Sequence, residues 1–79
     1  MGCDHRKALD MAKNGQWDDA HHLVQNHSDK LSCLIHGYLH RIEGDLGNAR
    51  YWYRRAGAEM PGDPAEDELN RLYGLLEDS

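Results

Sequence analysis

Seventy-nine residues with 39% hydrophobic and 29% charged positions suffice for one domain of residues 1–79 with a single core, and exclude a second. The absence of Phe and Thr and the presence of only three β-branched residues, Val24, Ile35 and Ile42, exclude a sheet-built protein. A formal charge of −5 disfavours a nucleic-acid binder, which needs a basic face to neutralise phosphates.

The first helix is expected from Asp4 to Lys13, where Asn14-Gly15 supplies a stop and tight turn. The second begins at Gln16 or Trp17 and ends near His27, with Trp17, Ala20, Val24 and His27 on one face. The third opens after Ser28 as N-cap and carries a broad stripe of Leu31, Leu34, Ile35, Tyr38, Leu39 and Ile42. Gly44-Asp45 ends it. The fourth runs from Leu46 to Ala58, with Ala49, Trp52, Tyr53 and Ala56 inward. The fifth has the clearest start: Asp63 as cap, Pro64 at the first helical position and Glu66 completing a capping box. Ala65, Leu69, Leu72, Tyr73 and Leu76 then trace one face.

An internal repeat crosses the first four segments. Gly15-Gln16-Trp17-Asp18-Asp19-Ala20 aligns with Gly44-Asp45-Leu46-Gly47-Asn48-Ala49 at a shift of 29 residues. In each copy a Gly stops a helix, a large apolar residue plugs the junction two places on, and an Ala lets two backbones approach. With Gly37, Tyr53, Ala56 and Pro61, the second copy resembles the tetratricopeptide repeat (TPR) family; the first keeps Ala8, Met11, Gly15, Trp17, Ala20 and Val24. The first copy departs from the family at Asp4 and Lys7, and its period is shorter than the family's 34 residues, which implies a clipped second helix. A Sel1-like array is the allied alternative. The resemblance implies an all-α fold, a short right-handed α-solenoid of two TPR-like antiparallel helix pairs (residues 4–27 and 28–61) closed by a C-terminal capping helix (63–77).

The resemblance also implies a function: a protein–protein interaction module, an adaptor or regulator that takes a peptide or partner helix in a concave groove. Residues His5, Leu9, Lys13, Leu34, Tyr38 and Arg41 are expected to line that groove, Leu34 and Tyr38 for apolar contact, Lys13 and Arg41 for a carboxylate. The basic and asparagine residues of the family's carboxylate-clamp type are not reproduced. Two repeats make a shallow cradle, so a homodimer is the other expected use of this face.

Six histidines raise a second possibility. Cys33, His36 and His40 stand at i, i+3 and i+7 on one helix face, a sulfur–imidazole set suited to zinc, with His21, His22 or His27 to supply a fourth ligand. Against it, these positions fall where the repeat packs its helices together, so the expected resident state is metal-free, with no cofactor. Enzyme activity is not expected: no phosphate loop, nucleophile elbow or paired-carboxylate signature is present, and Cys33 sits on a packed face. Arg50-Tyr51-Trp52-Tyr53-Arg54-Arg55 has the composition of a nucleic-acid platform, but its aromatics are needed inside the hairpin. Four arginines at positions 41–55 lie beside a C-terminal stretch in which Arg71 is the one base among seven acids, and ion pairs between them are expected. Two cysteines, no apolar leader run and no stretch approaching ~20 apolar residues point to a cytoplasmic protein without a membrane partner.

Overall fold

In the computed structural model, which describes residues 3–77, the chain forms five helices: α1 (His5–Lys13), α2 (Trp17–Val24), α3 (Lys30–Glu43), α4 (Leu46–Arg55) and α5 (Ala65–Glu77). No strand occurs among the described residues, so the all-α expectation holds. No helix among them is long and apolar enough to cross a membrane.

The helix ends show why the chain breaks where it does. Asp4 caps α1 by accepting from the Lys7 amide at 3.1 Å. Gly15 and Gly44, equivalent in the 29-residue repeat, both follow a helix with left-handed φ, +80° and +91°. Ala20 and Ala49, also equivalent, are both fully buried. The large residues that precede them behave differently. Trp17 donates its indole N–H to the Leu39 carbonyl at 2.7 Å, closing α2 onto α3. Leu46 is 44% exposed rather than plugging a junction, because the next helix, α5, packs on α1 and α3 instead of over the start of α4. Ile42, expected in the α3 stripe, is likewise exposed.

Helix α2 ends at Val24 rather than near His27, and three other boundaries differ from expectation, each for a local reason. The cap of α3 is Asp29, not Ser28. Its carboxylate accepts from the Ser32 amide at 3.1 Å and the Ser32 hydroxyl at 2.7 Å, two bonds that a serine oxygen would not match. α4 stops at Arg55 instead of Ala58, because Gly57 takes a left-handed φ of +76° and Ala58 N–H turns back to the Tyr53 carbonyl. At α5, Asp63 does not cap: its carboxylate pairs with Arg71 and faces Arg41, since a guanidinium is the stronger partner. The Pro64 carbonyl opens the helix instead, accepting from the Glu68 amide.

Helix α3 is the axis of the molecule. It packs against all four other helices, and every residue from Ser32 to His40 is buried. α1 pairs with α2, α3 pairs with α4, and α5 lies across α1 and α3. Leu9, Val24, Ile35, Leu39, Tyr53 and Leu72 are the largest of the fully buried apolar side chains. The approach of α4 to α3 is governed by Gly37, where a Cβ would stand 2.9 Å from Tyr53 Cδ2 and 3.2 Å from the Ala49 carbonyl oxygen.

Candidate functional site

Two faces of α3 carry chemistry. The first is the face that α1 and α3 present to α5. Leu9, Leu34 and Tyr38, expected in an open groove, are buried (0%, 7% and 5% exposed). Arg41 stands 3.9 Å from the Asp63 carboxylate, just ahead of α5. His5 is turned the other way: its Nε2–H donates to Asp29 at 2.9 Å, with Ser32 Oγ also at 3.0 Å, so it braces the α3 cap. Lys13 is exposed at the end of α1. Helix α5 therefore occupies the surface that the groove residues were expected to open to a partner. A crevice of about 240 Å³ remains beside it, where Leu34 meets Leu72 and Leu75 under Lys30.

α5 is held there by polar contacts as well as by its apolar stripe. Glu68 is 3% exposed, and its carboxylate accepts from the Tyr53 hydroxyl at 2.8 Å and from Arg71. The Tyr73 hydroxyl donates to Asp10 on α1. Burial, with the carboxylate bond behind it, pushes the Tyr73 phenol up to about 12, and burial pushes Tyr53 up strongly as well. Neither tyrosine was expected to hold a carboxylate. The only sequence cue was the acidic run at 66–68 on a helix that needed neutralising partners.

The second face lies against α2. Trp17 meets the Leu39 carbonyl, and His21, one turn further along α2, lies against His40 and the earlier His36, so α2 runs antiparallel to α3. The ring centroids of His21 lie 4.6 Å from His36 and 5.2 Å from His40, with His36 and His40 5.0 Å apart. One ligating nitrogen from each lies within 4.8 Å of the other two. Cys33, expected to share this site, is buried one turn earlier, with its thiol directed to the Ser28 carbonyl at 3.6 Å. Desolvation pushes that thiol up, away from the thiolate that metal binding needs. Of the other candidate ligands, His22 is exposed and accepts from Gln25 at 3.2 Å, and His27 lies outside the cluster.

The cluster is walled by aromatics. Trp17 stacks on His21 at 4.8 Å, and Trp52 stacks on His36 at 3.8 Å with planes 12° apart. Arg55 covers the outer face of this layer, its guanidinium 4.9 Å from the Trp52 ring, rather than forming the expected ion pair. Burial, followed by the neighbouring imidazoles and Arg55, lowers His36 to about 4, and burial likewise lowers His21. His40 donates from Nδ1 to Glu43 at 2.5 Å.

No family model matches the chain, and no curated protein or solved structure is significantly similar to it.

Proposed function

We propose that the chain is a small protein–protein interaction module, an adaptor of TPR-like architecture whose α1/α3 face recognises one amphipathic helix of a partner protein. One observation carries the reading: a helix already lies on that face. α5 packs on α1 and α3, the first helix of each pair, and is matched to the face by Tyr73 with Asp10 and by Asp63 with Arg41. A partner helix with a leucine stripe and acids at corresponding places would compete for the same contacts. The segment from Gly57 to Pro64, with glycines at 57 and 62 and prolines at 61 and 64, is the hinge on which α5 would leave.

The test uses the whole chain and a fluorescent peptide of residues 62–77. Leu72→Asp loosens α5, read as fast amide exchange over 65–77, and should let the peptide bind in trans where wild type binds little. Adding Tyr38→Ala to that variant should abolish binding. A second copy of the chain competing as well as the peptide would assign the face to self-association. A loosened α5 without peptide binding would overturn the reading.

A further inference from the structure

Within the fully buried stretch of α3, four residues are not apolar in the ordinary sense: Ser32, His36, Gly37 and His40. Three have an evident structural reason. Ser32 bonds to the Asp29 cap, Gly37 admits Tyr53, and His40 bonds to Glu43. His36 has none. It is 3% exposed, and its buried Nδ1 has no hydrogen-bond partner. An orphaned ring nitrogen in a core costs roughly 1–3 kcal/mol, a cost that stacking on Trp52 does not remove. A group that needs a lone pair there removes the anomaly.

We propose that His21, His36 and His40 form a binding site for one zinc-class divalent cation. The donor set fits. Three neutral imidazoles suit the late first-row divalent ions, and three histidines with a vacant fourth position are a recurrent zinc arrangement. Tetrahedral coordination at ~2.0–2.1 Å per bond sets the nitrogens roughly 3.3 Å apart. They now lie within 4.8 Å of one another, so small torsional movements of the side chains close the site. The surrounding shell also fits. A carboxylate only accepts, so Glu43 fixes the His40 proton on Nδ1 and leaves Nε2 as the free donor atom, the carboxylate–histidine relation that orients metal ligands. Trp17 and Trp52 hold the other two rings by stacking. Solvent reaches the site past His21, the one partly exposed member, and a water or an anion from solution completes the coordination there.

The three ligands come from two hairpins, one from α2 and two from α3, so the ion ties the first pair to the second across the repeat. That role differs from helix recognition on the α5 face, and each stands without the other.

Zinc titration of the untagged, chelator-treated chain, followed by calorimetry and by native mass spectrometry, tests the site. One ion per chain and a raised melting temperature are expected, with a tetrahedral visible spectrum when Co²⁺ replaces zinc and quenching of Trp17 and Trp52 emission by that ion. His36→Ala risks the core, so the decisive variant is His21→Ala, at a partly exposed ligand. It should lower affinity more than 100-fold while leaving the helical circular dichroism intact. Glu43→Gln should lower it about 10- to 100-fold, the usual consequence of losing an outer carboxylate. Cys33→Ala, His22→Ala and His27→Ala should leave it unchanged. No stoichiometric binding, or binding indifferent to His21→Ala, would overturn the proposal.

Discussion

Replacing Gly37 with alanine tests the closest helix crossing in the molecule, and the outcome can be worked from two opposed effects. Alanine is the better helix former by ~1 kcal/mol, which favours the variant. Against this, the new methyl would stand 2.9 and 3.0 Å from two carbons of the Tyr53 ring, where carbon contacts prefer ~3.5–4.0 Å. The ring cannot retreat cheaply, because Tyr53 is 1% exposed and its hydroxyl is held by Glu68. The Ala49 carbonyl oxygen, 3.2 Å away, is backbone and gives less. Overpacking of this kind costs ~1–3 kcal/mol, so the net change is ~0–2 kcal/mol of destabilisation. Gly74→Ala is the control: it makes the same exchange inside α5, with nothing within 4 Å of the added carbon. It should stabilise by up to ~1 kcal/mol. Thermal and urea unfolding by circular dichroism read the difference, since ~1 kcal/mol moves the melting temperature by ~4–8 °C in a domain of this size. If Gly37→Ala melts above wild type as Gly74→Ala does, the tight α3–α4 crossing is not what this glycine serves.

Other perturbations have equally definite signs. Ala49→Leu overfills the same crossing at a fully buried position and should destabilise by ~1–3 kcal/mol in urea unfolding, with the m-value unchanged. Tyr53→Phe leaves the buried Glu68 carboxylate with Arg71 alone and should destabilise by ~1.5–3 kcal/mol, with faster amide exchange concentrated in α5. Asp29→Ala removes the α3 cap and should lose ~1 kcal/mol at neutral pH. Burial acts to raise the Asp29 carboxyl, but bonds from Ser32 and His5 outweigh it and hold it below its ordinary 3.8. Its contribution is therefore complete above that value and is lost as pH falls through the lower folded-state pKa. Melting curves of wild type and Asp29→Ala should converge as the pH is taken progressively below 3.8; a gap that stays constant throughout that acid range would show that the charge is not what caps the helix.

What was legible in the sequence follows from which interactions are local. Helix α1 and its stop, the left-handed glycines at 15 and 44 and most of the α3 and α5 stripes were readable, because caps, glycines and 3.6-residue periodicity act within one or two turns. The misread boundaries arose where a long-range or multiple partner won. Asp63 was drawn from its capping role by Arg71, eight residues on, and Asp29 outcompeted Ser28 because it also gathers His5 from α1. The histidine site was half legible. His36 and His40 share a face by i, i+4 spacing alone, but the third ligand depends on the register of α2 against α3. That register is marked by the bond from the Trp17 indole to the Leu39 carbonyl, a contact between residues 22 apart that no spacing reveals. Sequence periodicity therefore offered Cys33, the residue on the same helix, and left His21 as one of three candidates for a further ligand, whereas tertiary packing brings His21 to the pair and not Cys33.

Both candidate sites meet on α3, and this constrains how each can work. Tyr38 and Leu34 lie toward α5 while His36 and His40 lie toward α2, and the two sets alternate along fewer than three turns of one buried helix. A helix buried from Ser32 to His40 transmits rotation or translation to both faces at once. Closing the histidines around an ion by side-chain torsion alone would leave the α5 face undisturbed, whereas closing them by moving α3 would shift Tyr38 and Arg41 beneath α5. The stacking of Trp52 on His36, itself braced by Arg55, and the bond from His40 to Glu43 tie both α3 imidazoles to neighbours that move with the α3–α4 hairpin. His21 is the ligand least held, partly exposed and fixed mainly by its stack on Trp17. An ion there would fix His21 and with it α2, which makes no packing contact with α5, so amide exchange should slow in α2 while that in α5 stays as it was.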